Sequence, residues 1–486
     1  MLTDHFFRNL LECPGASPRA QETNQTENTM DFQSIAARSS AIDSATGRLA
    51  AFVVEATPEV LPEAVRKEAA RTFLNWVGCA VGGSRHETVD IALATVGPFS
   101  GPAEASVLGR SERLDPLHAA LINGISSHVF DFDDTHLRTV IHPGGPVVSA
   151  LLAFAEHRKV RGPDFVNALV LGVEVECRIG NAVFPEHYDI GWHITGTAGV
   201  FGAAAAVGKL LKLDAERMTW ALGIAASQPV GLREMFGSMT KSFHPGRAAQ
   251  NGMTAALLAG NGFTSSMRAL EAKSGWLNVL STRHNLGEIT EGFGAHYEIL
   301  SNSYKPFACG IVIHPTIDAC VQLRNQNKMD VASICSVALK VHPLVLELTG
   351  KTEPQTGLEG KFSVFHAAAI ALIEGDGGER QFSDRAVRDP AVIDLRRRVQ
   401  ATIDPTLAPD DASVTLTLSD GRVLEKRIGH AIGSLARPMS DADLEKKFTG
   451  FAEAYLGAAG TRRLLDLCWR VGTLDDVAAV AEAARA

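Results

Sequence analysis

The sequence predicts a mainly α protein: a large all-helical part, then a smaller α+β unit, then a helical tail. Three observations carry this reading. From about residue 57 to 275, apolar residues recur at helical spacing in one segment after another. After residue 300, β-branched alternation takes over, with Ser-Asp-Gly between two strand-like runs. The last stretch is helical again. At 486 residues the chain exceeds the size at which one core keeps growing, so two domains are expected.

Residues 1–44 come first. The stretch SPRAQETNQTENTMDFQ is polar, lacks the apolar run of a signal peptide and reads as a disordered extension. Met30 is an alternative start, and the sequon at Asn24 is read as chance. PEVLPEAVRKEAARTFLNWVGCAVGG places Val65, Ala69, Ala70, Phe73, Leu74 and Val77 at helical spacing, with Pro near its start and Gly-Gly as its stop. DPLHAALINGISSHVFDFDD opens on Asp115 as N-cap and Pro116 at the first helical position. PGGPVVSALLAFAEHRK, GPDFVNALVLGVEVECRIGNAV, HITGTAGVFGAAAAVGKLLKL and DAERMTWALGIAASQ repeat the pattern. Several of these are apolar on most sides, which places them among other helices. VASICSVALKVHPLVLEL and ASVTLTLSDGRVLEKRI then carry the strand signal. SDADLEKKFTGFAEAYL, with Ser440 and Glu445 near its start, returns to helix, as if the chain rejoins its first domain.

Composition excludes several classes. Hydrophobic residues make up 45% and charged residues 21%, ordinary values for a globular protein. A net charge of −9 without a basic run argues against nucleic acid and anionic membrane surfaces as partners. No apolar run approaches the ~20 residues needed to cross a bilayer. Seven dispersed cysteines without a CxxC pair read as reduced thiols, so the expected location is the cytoplasm.

Four stretches could carry chemistry. Residues 130–145, FDFDDTHLRTVIHPGG, gather Asp131, Asp133, Asp134, His136 and His142 between two helices. They could be a capped turn, metal ligands or acid/base groups. Magnesium diphosphate sites need a second Asn/Ser/Glu motif, and zinc needs His and Cys at defined spacing. Neither is found, so no metal is expected. In GWHITGTAG, His193 opens a helix, where the dipole favours the neutral imidazole as base or donor; it could equally be a cap filling a polar gap. In GSMTKSFHPGRAAQNG, Lys241, His244 and Arg247 stand near a helix start and could seat a carboxylate or phosphate, or form a basic surface. In NSYKPFACGIVIHPTIDAC, Cys309 lacks the partners of a nucleophile and reads as a small buried residue beside Lys305 and His314. Together the stretches describe acid/base chemistry on an anion.

The ordered runs HVFDFDDTHLRTVIHPGGPVVSALLAFAE, LGVEVECRIG, GWHITGTAGVFGAAAAVGKLL and ALGIAASQPVGLREMFGSMTKSFHPGRAAQNG resemble the MmgE/PrpD family. That family includes 2-methylcitrate dehydratases, cis-aconitate decarboxylases and an iminodisuccinate epimerase. The resemblance runs from about residue 45 to the end. It implies a helical domain at 45–300, an α+β lid domain at 301–438 and C-terminal helices at 439–486 that rejoin the first domain, in a homodimer. It also implies a site between the domains that uses no metal or organic cofactor. Carried over, the family's acidic motif falls on Asp131 and Thr135, and its histidines on His142 and His193. Its TK lysine falls on Lys241, with His244 three residues on, and its lid lysine on Lys305.

Some positions depart from the family pattern. The interval between Thr135 and His142 is one residue longer than in the mammalian decarboxylases. PFACG stands where that branch can place a lid histidine, leaving His314 nearby, and His366 stands where a tyrosine is expected. These departures point away from cis-aconitate. The expected catalytic set is Asp131, His142, His193 and Lys241. Thr135, His136, His244, Lys305, His314 and His366 are expected to bind a di- or tricarboxylate. The expected reaction is loss of water, with decarboxylation or epimerisation as alternatives. Lys241 would stabilise an enediolate-like charge and the histidines would move protons. A non-catalytic, metabolite-binding helical dimer is the alternative from another class.

Overall fold

The computed structural model describes residues 43–327 and 329–486. The extension expected at 1–44 thus lies, apart from its last two residues, outside the described residues. Helix accounts for 59% and strand for 9%, far from the roughly 30–35% and 20–25% of an average domain. The fold is mainly α with a smaller α+β part.

The helices that build the site are α1 (Ala45–Glu55), α2 (Glu63–Gly83), α3 (Pro116–His128), α4 (Gly144–His157), α5 (Gly162–Val183), α6 (Ile194–Leu210), α7 (Ala215–Ala226) and α8 (Thr240–Gly260). Local chemistry sets their ends. The Asp115 carboxylate accepts from the Leu117 and His118 amides and starts α3, while His193 occupies the N-cap position of α6. α6 is almost wholly buried, as its run of alanine and glycine requires. Small residues also let α3 cross α8 closely: a Cβ on Gly124 would lie 2.4 Å from the Gly246 Cα. That crossing brings the last residue of α3, His128, towards the first turn of α8.

A strand pair joins the helical part to the α+β part. β1 (Asp134–His136) runs antiparallel to β2 (Asn302–Tyr304), with Thr135 opposite Ser303. Beyond β2 lie α9 (His314–Asn327), β3 (Ile334–Val341), α10 (Val364–Glu374), β4 (Val399–Ile403), β5 (Ala412–Leu418) and β6 (Val423–Ile428). The strand order is β4-β3-β5-β6, with β3 and β4 parallel and the other neighbours antiparallel. β5 and β6 form the hairpin that Ser419-Asp420-Gly421 signals. β5 buries Ala412, Val414, Leu416 and Leu418 in strict alternation. In β3 a bulge between Ile334 and Ser336 restores the inward phase for Val337, Leu339 and Val341.

Three apolar cores result. One, with Phe73, Trp76, Leu151 and Phe165, also takes Phe448 and Leu464 from the C-terminal helix α11 (Asp441–Trp469). Another joins Leu49, Ile179, Phe201, Leu222 and Trp276. The third lies between the sheet and helices α9 and α10, with Ile317, Val337, Ile370 and Leu416, and includes Cys79 and Phe132 from the helical part. α11 starts with a capping box of Ser440 and Asp443, in place of the Glu445 that the sequence suggested. It breaks at Gly457, whose φ of 65° a side chain would resist. Among the described residues, no helix is long and apolar enough to cross a membrane.

Candidate active site

The acidic loop after α3 lies between the helical part and the α+β part. It borders a narrow cleft lined by Asp131, Thr135, Val140, His142, Tyr188, His193, Phe236, Lys241, Lys305, Gly310, Ile311, Val312, Leu348, Thr349 and Phe362. Two of these residues hold unusual backbone: Asp131 has φ 50° and Val140 φ 55°. For a β-branched residue that is an outlier, and such strain concentrates at functional sites.

Asp131 is the hub of the cationic side. Its Oδ1 accepts hydrogen bonds from Lys241 Nζ at 2.8 Å and Lys305 Nζ at 2.7 Å, and Lys305 also donates to the Asp131 carbonyl at 3.1 Å. All three side chains are buried. Burial alone would raise the Asp131 carboxyl, but the two ammonium groups outweigh it and hold it well below the usual carboxylate range. One carboxylate between two ammonium ions leaves a local excess of one positive charge. Lys305 reaches this place because it directly follows β2 and the β1–β2 pairing fixes its register.

Asp133 is the hub of the imidazole side. Its Oδ2 lies 2.7 Å from His128 Nδ1, and its Oδ1 lies 3.5 Å from His142 Nδ1. His142 Nδ1 is also 2.7 Å from the Asp134 carbonyl and 3.3 Å from Thr135 Oγ1. A carbonyl only accepts, so Nδ1 carries the hydrogen and the neutral ring presents a bare Nε2. Burial holds His128 and His142 below the ordinary imidazole value, against the pull of Asp133. Asp133 itself is held down, burial being outweighed by the imidazoles beside it. Asp134 behaves oppositely: burial and the adjacent Asp133 charge push it up to about 7.

His193 Nδ1 lies 2.8 Å from His244 Nδ1, and the His193 amide donates to the Gly231 carbonyl. Burial lowers both rings, His244 to about 3, so this pair shares a hydrogen between two neutral imidazoles. Gly231, at φ 111°, passes close beneath both, and a Cβ there would stand 2.9 Å from the His244 ring.

Six of the expected residues, Asp131, Thr135, His142, His193, Lys241 and Lys305, thus line one cleft. His244 stands behind His193 and sets its ring. Like His244, three further expected binding residues do not line the cleft wall. His136 Nε2 bonds Glu298 and its Nδ1 bonds Thr139, a buried cross-link between loops. His314 bonds the Cys309 carbonyl, packs against Phe307 and carries a ring lowered to about 3 by burial. His366, in the first turn of α10, bonds the Gln381 carbonyl. Arg247 is exposed and bonds Gln250; six residues along a helix place it roughly 120° around the axis from Lys241. The backbone amides of Lys241 and Ser242 already donate to Ser238 and Met239, so ammonium groups, not free amides, supply the positive charge. Burial drives the Cys309 thiol far up, which removes it as a nucleophile.

Sequence reasoning passed over His128, the aromatic wall of Tyr188, Phe236 and Phe362, and the pairing role of Asp133. A histidine three residues before Asp131 at the end of an apolar helix was the available signal for the first. As for metals, donor atoms of His128, Asp131, Asp133 and His142 lie within 4.8 Å of one another, as do those of His128, His142 and His193. The distances admit a small cation. A dication there would face the two ammonium groups on Asp131, so the charge set suits an anion better.

Known proteins extend the comparison. The MmgE/PrpD N-terminal domain matches residues 47–288 and the MmgE/PrpD C-terminal domain residues 307–471. Cis-aconitate decarboxylase of Aspergillus terreus is 25% identical over 475 residues, covering 92% of this chain and 97% of the relative. Human cis-aconitate decarboxylase is 26% identical, covering 86% of this chain and 89% of its own. 2-Methylcitrate dehydratase of Cupriavidus necator is 23% identical, covering 74% and 79%. Two domain matches that together span most of the chain show that this protein belongs to the MmgE/PrpD family.

Proposed function

We propose that the protein is a lyase that works on a di- or tricarboxylate by acid/base chemistry next to a carboxylate group. One observation carries the reading: neutral, buried imidazoles with bare nitrogens face the same cleft as the Lys241–Asp131–Lys305 cluster. Removing a proton beside a carboxylate builds negative charge on the carboxylate oxygens. A fixed ammonium stabilises that charge without reorganising, which is commonly the largest contribution in such reactions. In this reading Lys241 supplies it, Thr135 donates to a carboxylate, and His142 or His193 moves the proton.

Loss of water fits the paired imidazoles, since one proton must be taken and one returned. Decarboxylation is the second reading. It is favoured by the decarboxylase relatives and by the apolar wall of Gly310, Ile311, Val312 and Leu348, because a desolvated carboxylate loses carbon dioxide more readily.

The test is incubation in deuterium oxide with methylcitrate, citrate, cis-aconitate and iminodisuccinate, followed by proton spectra. A new vinylic signal with all carbons retained means elimination, and one with loss of a carbon means decarboxylation. Deuterium at a substrate carbon without an alkene means epimerisation. Silence across the panel rejects the lyase reading for these acids.

A further inference from the structure

The residues carried over from the family leave one group of the site unused. His128 ends α3 with its side chain fully buried, and its Nδ1 lies 2.7 Å from Asp133 Oδ2. Its Nε2 is buried and has no hydrogen-bond partner. Asp133 ionised can only accept, so the hydrogen of a neutral His128 sits on Nδ1 and Nε2 carries a free lone pair. A buried acceptor left unpaired is destabilising, and a ligand hydrogen would relieve it. His128 borders a narrow gap that shares Asp131, Lys241 and Phe362 with the main cleft. One donor atom each of His128, His142 and His193 lies within 4.8 Å of the others, and the His128 and His142 rings are 4.7 Å apart. Asp133 therefore repeats, on His128, the arrangement by which a buried carboxylate fixes the tautomer of a catalytic imidazole.

We propose that His128 is a further catalytic base of this site, its Nε2 taking a proton from the bound carboxylate substrate, with Asp133 as the residue that positions it. The inference rests on the lyase reading and deepens it. In an elimination, the C–H bond beside the carboxylate breaks, its hydrogen goes to His128 Nε2 and its electron pair stays on the substrate as an enediolate. That pair then forms the alkene as the C–O bond breaks. The leaving hydroxide takes the same proton back from His128, directly or through His142, and departs as water. The imidazolium formed in between is stabilised by Asp133, and the site ends in its starting state. The narrow gap beside His128 is bordered by Lys361 as well as Lys241.

The first experiment needs no variant. Nitrogen-15 spectra of histidine-labelled protein at neutral pH are expected to show His128 with hydrogen on Nδ1 and a bare Nε2, whose resonance moves when succinate is added. A hydrogen on Nε2, or a bare Nε2 that stays still while the His142 resonance moves, overturns the proposal. With a substrate from the panel, His128→Gln is expected to lower kcat roughly 10²- to 10⁴-fold with KM changed far less, and to abolish deuterium wash-in. Asp133→Asn is expected to shift hydrogen from Nδ1 to Nε2 in the same spectra and to lower kcat with it. Retained turnover and wash-in in a folded His128→Gln protein rejects His128 as base while leaving the lyase reading intact. Silence of the wild-type protein across the panel removes the lyase reading, and a base for that reaction with it.

Discussion

Asp131 and Asp133 stand two residues apart in one loop, equally buried, yet they organise opposite halves of the cleft. Asp131 faces two lysines and neutralises one charge of two. Asp133 faces two imidazoles that burial keeps neutral. The difference teaches that in a buried acidic loop the partner, not the carboxylate, decides the consequence. On one side the carboxylate holds charges in place, and on the other it holds hydrogens in place.

Removing each carboxylate in turn should break the symmetry of the pair. Asp131→Ala strands two ammonium groups against each other and should cost about 3–5 kcal/mol of stability in urea unfolding, with activity lost. Lys241→Met leaves Asp131 paired with Lys305. It should therefore cost only about 1 kcal/mol in the same assay, while kcat falls roughly 10²- to 10³-fold for want of the charge that meets the enediolate. Asp133→Ala strands no charge, only the His128 Nδ1 hydrogen, and should cost about 1–3 kcal/mol. If it proved as destabilising as Asp131→Ala, the imidazoles would have to be cationic and the division between the halves would fall.

The smallest effect lies outside the cleft. His314 titrates near 6.5 when unfolded and at about 3 when folded. The stability its neutral ring contributes is complete above pH ~6.5 and is lost as pH falls towards ~3, since the unfolded chain then binds a proton that the native protein refuses. His314→Gln keeps a donor for the Cys309 carbonyl but cannot titrate. The urea midpoint of that variant should fall less between pH 7 and pH 5 than that of the wild type; parallel curves would mean that His314 is charged in the fold.

Much of this was legible in the residues. Caps at Asp115 and Ser440, the turn at Ser419-Asp420-Gly421 and the small residues of α6 act within a few positions, and local patterns report local causes. The grouping of Asp131, His142 and Lys241 came through because their motifs have a fixed order along the chain. The features that failed to come through depend on distant pairing. Nothing near Asp131 announces that Lys305, 174 positions away, shares its Oδ1. Nothing near His136 announces that Glu298 will turn its ring away from the cleft. Arg247 misled for a simpler reason: residue type suggests chemistry, but the turn of a helix decides which way a side chain faces; His366 came from the resemblance alone, and its ring bonds the Gln381 carbonyl.

Lys447, on α11, donates to the Asn75 side chain at 2.8 Å, the Phe132 carbonyl at 2.5 Å and the Lys305 carbonyl at 3.0 Å. It thereby ties α2, the acidic loop and the residue after β2 together from behind. On a ribosome, every cleft-lining side chain leaves the exit tunnel before this clamp does. The nascent chain therefore carries its lysines and aspartates in an unfastened loop until α11 has emerged and packed back against α2.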